Sequence, residues 1–308
     1  MIINTGQRTD IPAFYSQWFY QRIQEGYVDV RNPYHPQRVM RYQINPEVVD
    51  CLCFCTKNPQ PMLSRLEEIQ EFRQFWFVTI TPYGNDIEPY VPSVNQVIKS
   101  FQLLSTKVGS QAVGWRYDPI LIHGKYTVEY HIQAFEYIAK RLSSYTQRCV
   151  ISFIDLYQKT QRNFPDIQEV SITTQHFLTR EFVEIAKKYN IQVYACLESN
   201  DLQQYGVNTQ GCMTKAVIEK AIGEELLMKR TQVREGCFCV IGNDVGAYNT
   251  CLHGCLYCYA NENRKKVLEQ FHQHDPNSSL LIGYIGKDDQ IVEVKQKSNI
   301  NRQLSLNI

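Results

Sequence analysis

The chain has 308 residues, a formal net charge of +1, 44% hydrophobic residues and 20% charged ones. These proportions exclude a disordered polypeptide and fit a globular protein with a substantial core. So neutral a balance supplies no broad positive field for long polyanions, and a small-molecule or peptidic substrate is expected in place of nucleic acid.

Met1 leads into Ile2, Ile3, Asn4 and Thr5 with no basic segment or long apolar stretch, and no run approaches the roughly 18 apolar residues of a membrane span. A soluble, cytoplasmic protein without membrane contact is expected. Its eleven cysteines then read as thiols or metal ligands, not as a secreted disulfide framework.

Apolar, β-rich runs recur at 2–5, 51–55, 75–81, 112–117, 149–154, 191–197 and 237–241. Continuous apolar character of this kind predicts a parallel sheet buried on both faces. The segment 28–46, with three prolines, reads as irregular. After the run 75–81, Ser93 and Gln96 have capping-box spacing, and Val94, Val97, Ile98, Phe101 and Leu104 recur at helical period. Val128, Ile132, Phe135, Ala139 and Leu142 form a second amphipathic stripe, and Phe182, Ile185, Ala186 and Tyr189 a third. This alternation predicts an α/β protein. Its architecture is expected to be a TIM-like (β/α) barrel, closed or partly open, with an open doubly wound sheet as the alternative. The barrel is expected over residues 1–271, with 272–308 as an extension packed on it or partly mobile.

Near the C-terminus Cys251, Cys255 and Cys258 lie in a loop over 250–261, between the run 237–241 and a helix-like stretch over 262–271. Thiolates suit soft iron, and backbone N–H groups before a helix stabilise an anionic centre. Three thiolates leave one iron of a [4Fe–4S] cubane without a protein ligand, so a small molecule can bind there.

This C-x3-C-x2-C loop, with aromatic Tyr257 before its last cysteine, resembles that of the radical S-adenosylmethionine superfamily. The resemblance implies that Cys251, Cys255 and Cys258 ligate the cluster and that S-adenosylmethionine chelates the open iron. It further implies that an electron from a donor such as flavodoxin or ferredoxin releases a 5′-deoxyadenosyl radical, and that Tyr257 packs near the adenosine. That superfamily usually carries the loop on its first strand, and its late position here implies circular permutation. Further segments, among them Arg8-Thr9-Asp10-Ile11-Pro12, Thr56-Lys57-Asn58-Pro59, Thr79-Ile80-Thr81-Pro82, Trp115-Arg116-Tyr117-Asp118-Pro119 and Gly246-Ala247-Tyr248-Asn249-Thr250, resemble the bacterial family called domain of unknown function 1848. That family's reaction is not established, so the resemblance implies architecture and cofactor only.

Polar residues at strand ends are expected to ring the site: Arg8, Thr9, Asp10, Lys57, Asn58, Thr79, Thr81, Tyr83, Arg116, Asp118, Asp155 and Glu198. The superfamily's Gly-Gly-Glu segment is absent, which leaves Arg8 or Asp10 to grip the cosubstrate, although Asp10 serves equally well as a helix N-cap or in an ion pair. Arg116 suits a carboxylate or phosphate. His253 is expected to be exposed or to stand behind the ligands. Cys196, Cys212, Cys237 and Cys239 are candidates for an auxiliary metal site, whereas Cys51, Cys53, Cys55 and Cys149 read as buried hydrophobes. Two non-catalytic readings stand beside the enzyme. One is a zinc site of Cys255, Cys258, Cys237 and Cys239. The other is an electron-transfer cluster with Cys237 or Cys239 as fourth ligand.

Overall fold

The computed structural model describes residues 1–196, 198–228 and 237–303. In chain order its elements are β1 (Ile2–Asn4), α1 (Ile11–Phe14), α2 (Ser16–Glu25), β2 (Tyr27–Arg31), β3 (Arg38–Gln43), β4 (Cys51–Thr56), β5 (Gln74–Thr79), α3 (Val94–Val108), β6 (Val113–Ile120) and α4 (Val128–Leu142). There follow β7 (Arg148–Phe153), α5 (Gln158–Asn163), α6 (Ile172–Lys188), β8 (Gln192–Ala195), α7 (Lys215–Ile222), β9 (Asn243–Asp244), α8 (Arg264–Phe271) and β10 (Gln290–Glu293). Short 3-10 segments cover Gln60–Ile69 and Asn200–Tyr205. Six of the predicted runs contain strands of the main sheet; the end of the sixth, Leu197, lies outside the described residues.

Seven strands form one parallel sheet in the order β8-β7-β6-β5-β4-β1-β9. The alternation on β5 shows apolar burial toward both faces. Trp76 and Val78 join one core with Phe54, Trp115, Phe101 and Phe135, while Phe75 and Phe77 join another with Cys51, Cys53, Met213 and Ile218. The Phe54 and Trp76 rings stack 3.9 Å apart, and Phe135 stacks on Phe182 at 4.1 Å, tying α4 to α6. Gln96 Oε1 accepts from the Ser93 backbone N–H and hydroxyl at the start of α3, as its spacing predicts.

The expected barrel is not present. The sheet is open and Rossmann-like, and the edge strands β8 and β9 do not pair with each other. Two physical reasons are visible. β8 has four residues and β9 two, too short to close a ring. The face that a barrel would enclose is filled by Phe75 and Phe77 on the sheet, by Cys212 and Met213 just before α7 and by Val217 and Ile218 on α7.

Two further expectations are corrected. The run 237–241 forms no strand of the sheet; Cys239 makes only an isolated antiparallel bridge to Thr214, and the strand before the cysteine loop is β9. The segment 28–46 is not irregular. β2 and β3 pair antiparallel, and β10 adds to β3 in parallel. Charged residues masked this hairpin because they pair across it: Arg41 donates to both oxygens of buried Asp29 at 2.8 and 2.7 Å. The C-terminal segment also packs on α2, whose Trp18 Nε1 donates to Ser278 O at 2.8 Å.

His131, fully buried on α4, bonds Tyr117 OH through Nδ1 at 2.7 Å and Leu121 O through Nε2 at 2.8 Å, an arrangement that suits the neutral ring. Burial lowers its pKa from 6.5 to about 4. A base with a depressed folded pKa stabilises fully above its unfolded value, and that stability is lost as pH falls from about 6.5 toward about 4. Unfolding free energy from urea titrations is therefore expected to be roughly 2 kcal/mol lower at pH 5 than at pH 7.5 through this residue alone. His131→Phe should flatten that dependence; an unchanged slope would show that the ring is charged or exposed.

Candidate functional site

In an open parallel sheet, ligands gather outside the strand C-termini where the order of strands changes direction. Here that place is β1: β4 to β8 run out on one side in chain order, and β9 returns to the other. The loops leaving β1 and β9 meet there. Asp244 ties them, accepting from Gln7 N at 2.7 Å and Gly246 N at 2.9 Å, and burial raises its carboxyl above the usual range.

The cysteine loop leaves β9 and is closed at its neck. Asn249, at a left-handed φ of 61°, donates its N–H to Ala260 O at 3.1 Å and accepts Glu262 N on Oδ1 at 2.6 Å. Tyr15 OH donates to Thr250 O at 2.7 Å, and Asn261 Nδ2 to Cys251 O at 2.8 Å. The outer part of the loop zips onto the segment after β5: Tyr90 N donates to His253 O and Leu256 N to Ile87 O, both at 3.1 Å. Gly254 is required on two counts. Its φ is +70°, and an added Cβ would lie 2.9 Å from the Tyr90 ring.

This frame brings together Cys251, Cys255 and Cys258, all half-buried. Burial raises each thiol above its ordinary value, that of Cys251 most clearly, and the charges of Cys255 and Cys258 add to the effect at Cys251. Lys57, at the end of β4, faces them. Its Nζ donates to Thr81 Oγ1 at 3.1 Å and to the buried Glu88 carboxylate at 2.9 Å. Burial alone would lower the Lys57 ammonium, but Glu88 and then Cys255 more than offset it and leave it raised. Tyr257 OH also donates to Glu88, which thus accepts from Lys57, Thr81 and Tyr257.

Behind the loop, His253 is buried and not exposed. Its Nε2 lies 2.8 Å from Asp10 Oδ2, which also accepts Lys57 N at 2.8 Å, while Asp10 Oδ1 caps α1 by accepting Ala13 N at 3.0 Å. Asp10 is thus both the N-cap of α1 and the hydrogen-bond partner of His253. Arg8 lies 3.9 Å from Asp244 and over the Tyr248 ring. Arg116 is paired with Asp118, and Glu198 accepts from Phe153 N at 2.8 Å and Ser152 Oγ at 2.9 Å. Burial raises Glu198 to about 7.

The other predicted sulfur group also assembles, though with partners different from those of the mixed zinc set. Cys212 Sγ lies 3.6 Å from Cys196 Sγ and 3.7 Å from Cys239 Sγ, with Cys237 beside Cys239. Cys51 and Cys53 touch at 3.7 Å within the second core, and Cys149 lies in the first. Among the described residues no three His, Cys, Asp or Glu side chains stand as a ready-made ligand set for a metal ion. A cleft of about 510 Å³ lined by Leu66, Arg73, Gln74, Ala112 and Ile222 opens at the opposite end of the strands, away from the loop. Glu88 and Asp244 are central here but went unread in the sequence. Glu88 sits in a connection without motif spacing, and Asp244 lies beyond the run taken for the strand.

Residues 2–260 match the family described as "Domain of unknown function (DUF1848)". The chain belongs to that family. No curated protein matches it. The matched span takes in the DUF1848 sheet, the β1 and β9 loops and all three loop cysteines, while α8 and the β10 segment lie beyond it. Among the described residues no helix is long and apolar enough to cross a membrane.

Proposed function

We infer that this protein is a radical S-adenosylmethionine enzyme whose [4Fe–4S] cluster is held by Cys251, Cys255 and Cys258. The observation that carries the reading is the presence of three thiols on one closed loop, at the change of strand order, beside the half-buried Lys57. The residues suit such a group. The donors are soft thiols, the ligand type that iron–sulfur clusters take. Two buried polar atoms beside the site, Asn261 Oδ1 and Thr9 Oγ1, have no hydrogen-bond partner and would suit a polar cosubstrate.

When bound, the cluster would supply one electron for reductive cleavage of S-adenosylmethionine, giving a carbon radical that removes a substrate hydrogen. The chain's own residues orient and shield. Lys57 supports the negative charge of Cys255, Glu88 fixes Lys57 and Tyr257, and Asn249 with Asn261 holds the loop closed. Arg8, after β1, and Arg116, within β6, remain the cations that could meet a carboxylate or phosphate. The substrate is a small molecule or peptide, and the electron donor a flavodoxin or ferredoxin. Protein purified without oxygen and reduced with dithionite is expected to release 5′-deoxyadenosine from S-adenosylmethionine. Stoichiometric zinc, no iron and no 5′-deoxyadenosine would overturn the reading.

A further inference from the structure

The second face of the sheet carries another group of sulfurs. Cys196 follows edge strand β8, Cys237 and Cys239 precede the opposite edge strand β9, and Cys212 stands between them just before α7. Cys212, Cys237 and Cys239 are buried, and Cys196 is half-buried. The Sγ–Sγ separations from Cys212 are 3.6 Å to Cys196 and 3.7 Å to Cys239. Around a tetrahedral ion with metal–sulfur bonds of about 2.3 Å, neighbouring sulfurs stand about 3.8 Å apart. These contacts therefore have the edge length of a mononuclear tetrathiolate site and are short for corners of an iron–sulfur cubane.

The backbone is arranged for a thiolate. Met213 N donates to Cys239 Sγ at 3.3 Å, whereas the sulfur of a neutral thiol is a weak acceptor. The 210–213 strip is locked against 238–240 by Phe238 N to Gln210 O at 3.1 Å and Val240 N to Met213 O at 2.7 Å. Gly211, at φ +132°, lets this strip pass the sulfur: an added Cβ would lie 2.8 Å from Cys239 Sγ. The Arg116 guanidinium is near enough to weigh on Cys196 and Cys212 and would offset part of a tetrathiolate's excess negative charge. As they stand, the thiols touch in sequence without enclosing a common centre, so binding requires the outer two, Cys196 and Cys237, to turn inward.

We propose that Cys196, Cys212, Cys237 and Cys239 form a structural zinc site that clamps together the segments next to the two edges of the open sheet. Ligands from three separate stretches of chain would tie the cover of the second face to the sheet, and among its described residues α7 is the regular element.

The test uses the full chain with Cys251→Ala, Cys255→Ala and Cys258→Ala combined, so that nothing held by the loop contributes to the metal measured. About one zinc ion per chain is expected after purification without chelator. Mercurial modification of four thiols should release it, and Cys212→Ser should abolish it. If Cys212→Ser does not fold, the mercurial titration of the triple variant decides alone. No zinc, iron with acid-labile sulfide in its place, or a disulfide joining Cys212 to Cys196 or Cys239 would each overturn the proposal. None of these results bears on the loop site, whose thiols are absent from the tested protein.

Discussion

Cys255→Ala is expected to abolish stable iron binding and to lower reductive cleavage of S-adenosylmethionine by more than about 100-fold. Loss of a residue that merely supports a metal ligand costs about 10- to 100-fold, and loss of a ligand should exceed that. The same outcome is expected at Cys251 and Cys258, since only three loop thiols are available. The fold should survive. Cys255 is half-buried, and the loop's closure rests on Asn249, Asn261 and Tyr15 rather than on its sulfur. Iron content, 5′-deoxyadenosine release and the urea midpoint of the variant therefore separate a lost ligand from a lost fold. Full iron content in Cys255→Ala would remove this residue from the site.

Glu88→Ala is expected to be the costliest change outside the sulfur ligands. Glu88 is 2% exposed and accepts from Lys57, Thr81 and Tyr257. Its removal strands the Lys57 ammonium, whose side chain is only 13% exposed, together with two hydroxyl donors. Breaking one partner out of a buried pair costs about 3–5 kcal/mol, because the remaining charge is left uncompensated. Glu88→Gln keeps an acceptor for Lys57, Thr81 and Tyr257 and should cost less. Urea unfolding of the three proteins measures this directly. A Glu88→Ala variant within about 1 kcal/mol of the parent would show that Lys57 is solvated.

The strands were legible because burial on both faces leaves long apolar runs, as at Cys51–Thr56 and Gln74–Thr79. α3 was legible through the capping residues Ser93 and Gln96. Closure of the sheet was not. It depends on the lengths of β8 and β9 and on what fills the second face, and Cys212, Met213 and Ile218 carry no periodic signal of that role. The β2–β3 hairpin was hidden for the opposite reason: Arg41 and Asp29 look like surface charges until their pairing across strands is seen.

At the candidate site, spacing singled out Cys251, Cys255 and Cys258, and strand-end position singled out Lys57 and Asp10. Spacing could not show that His253 turns inward to Asp10 or that Tyr257 reaches Glu88, because both contacts join residues more than 150 positions apart. It also gave no means of dividing the sulfurs. Cys239 goes to Cys212 and not to Cys255, a choice made by the 210–213 strip crossing the second face.

The central claim is an iron left open by three thiolates, and electron paramagnetic resonance of the reduced protein tests it most directly. Protein prepared without oxygen and holding about four iron and four sulfide per chain is predicted to show a reduced-cluster signal that changes on addition of S-adenosylmethionine and is absent in Cys255→Ala. A signal indifferent to S-adenosylmethionine, or protein that carries zinc and no iron when the four second-face cysteines are removed, would contradict it.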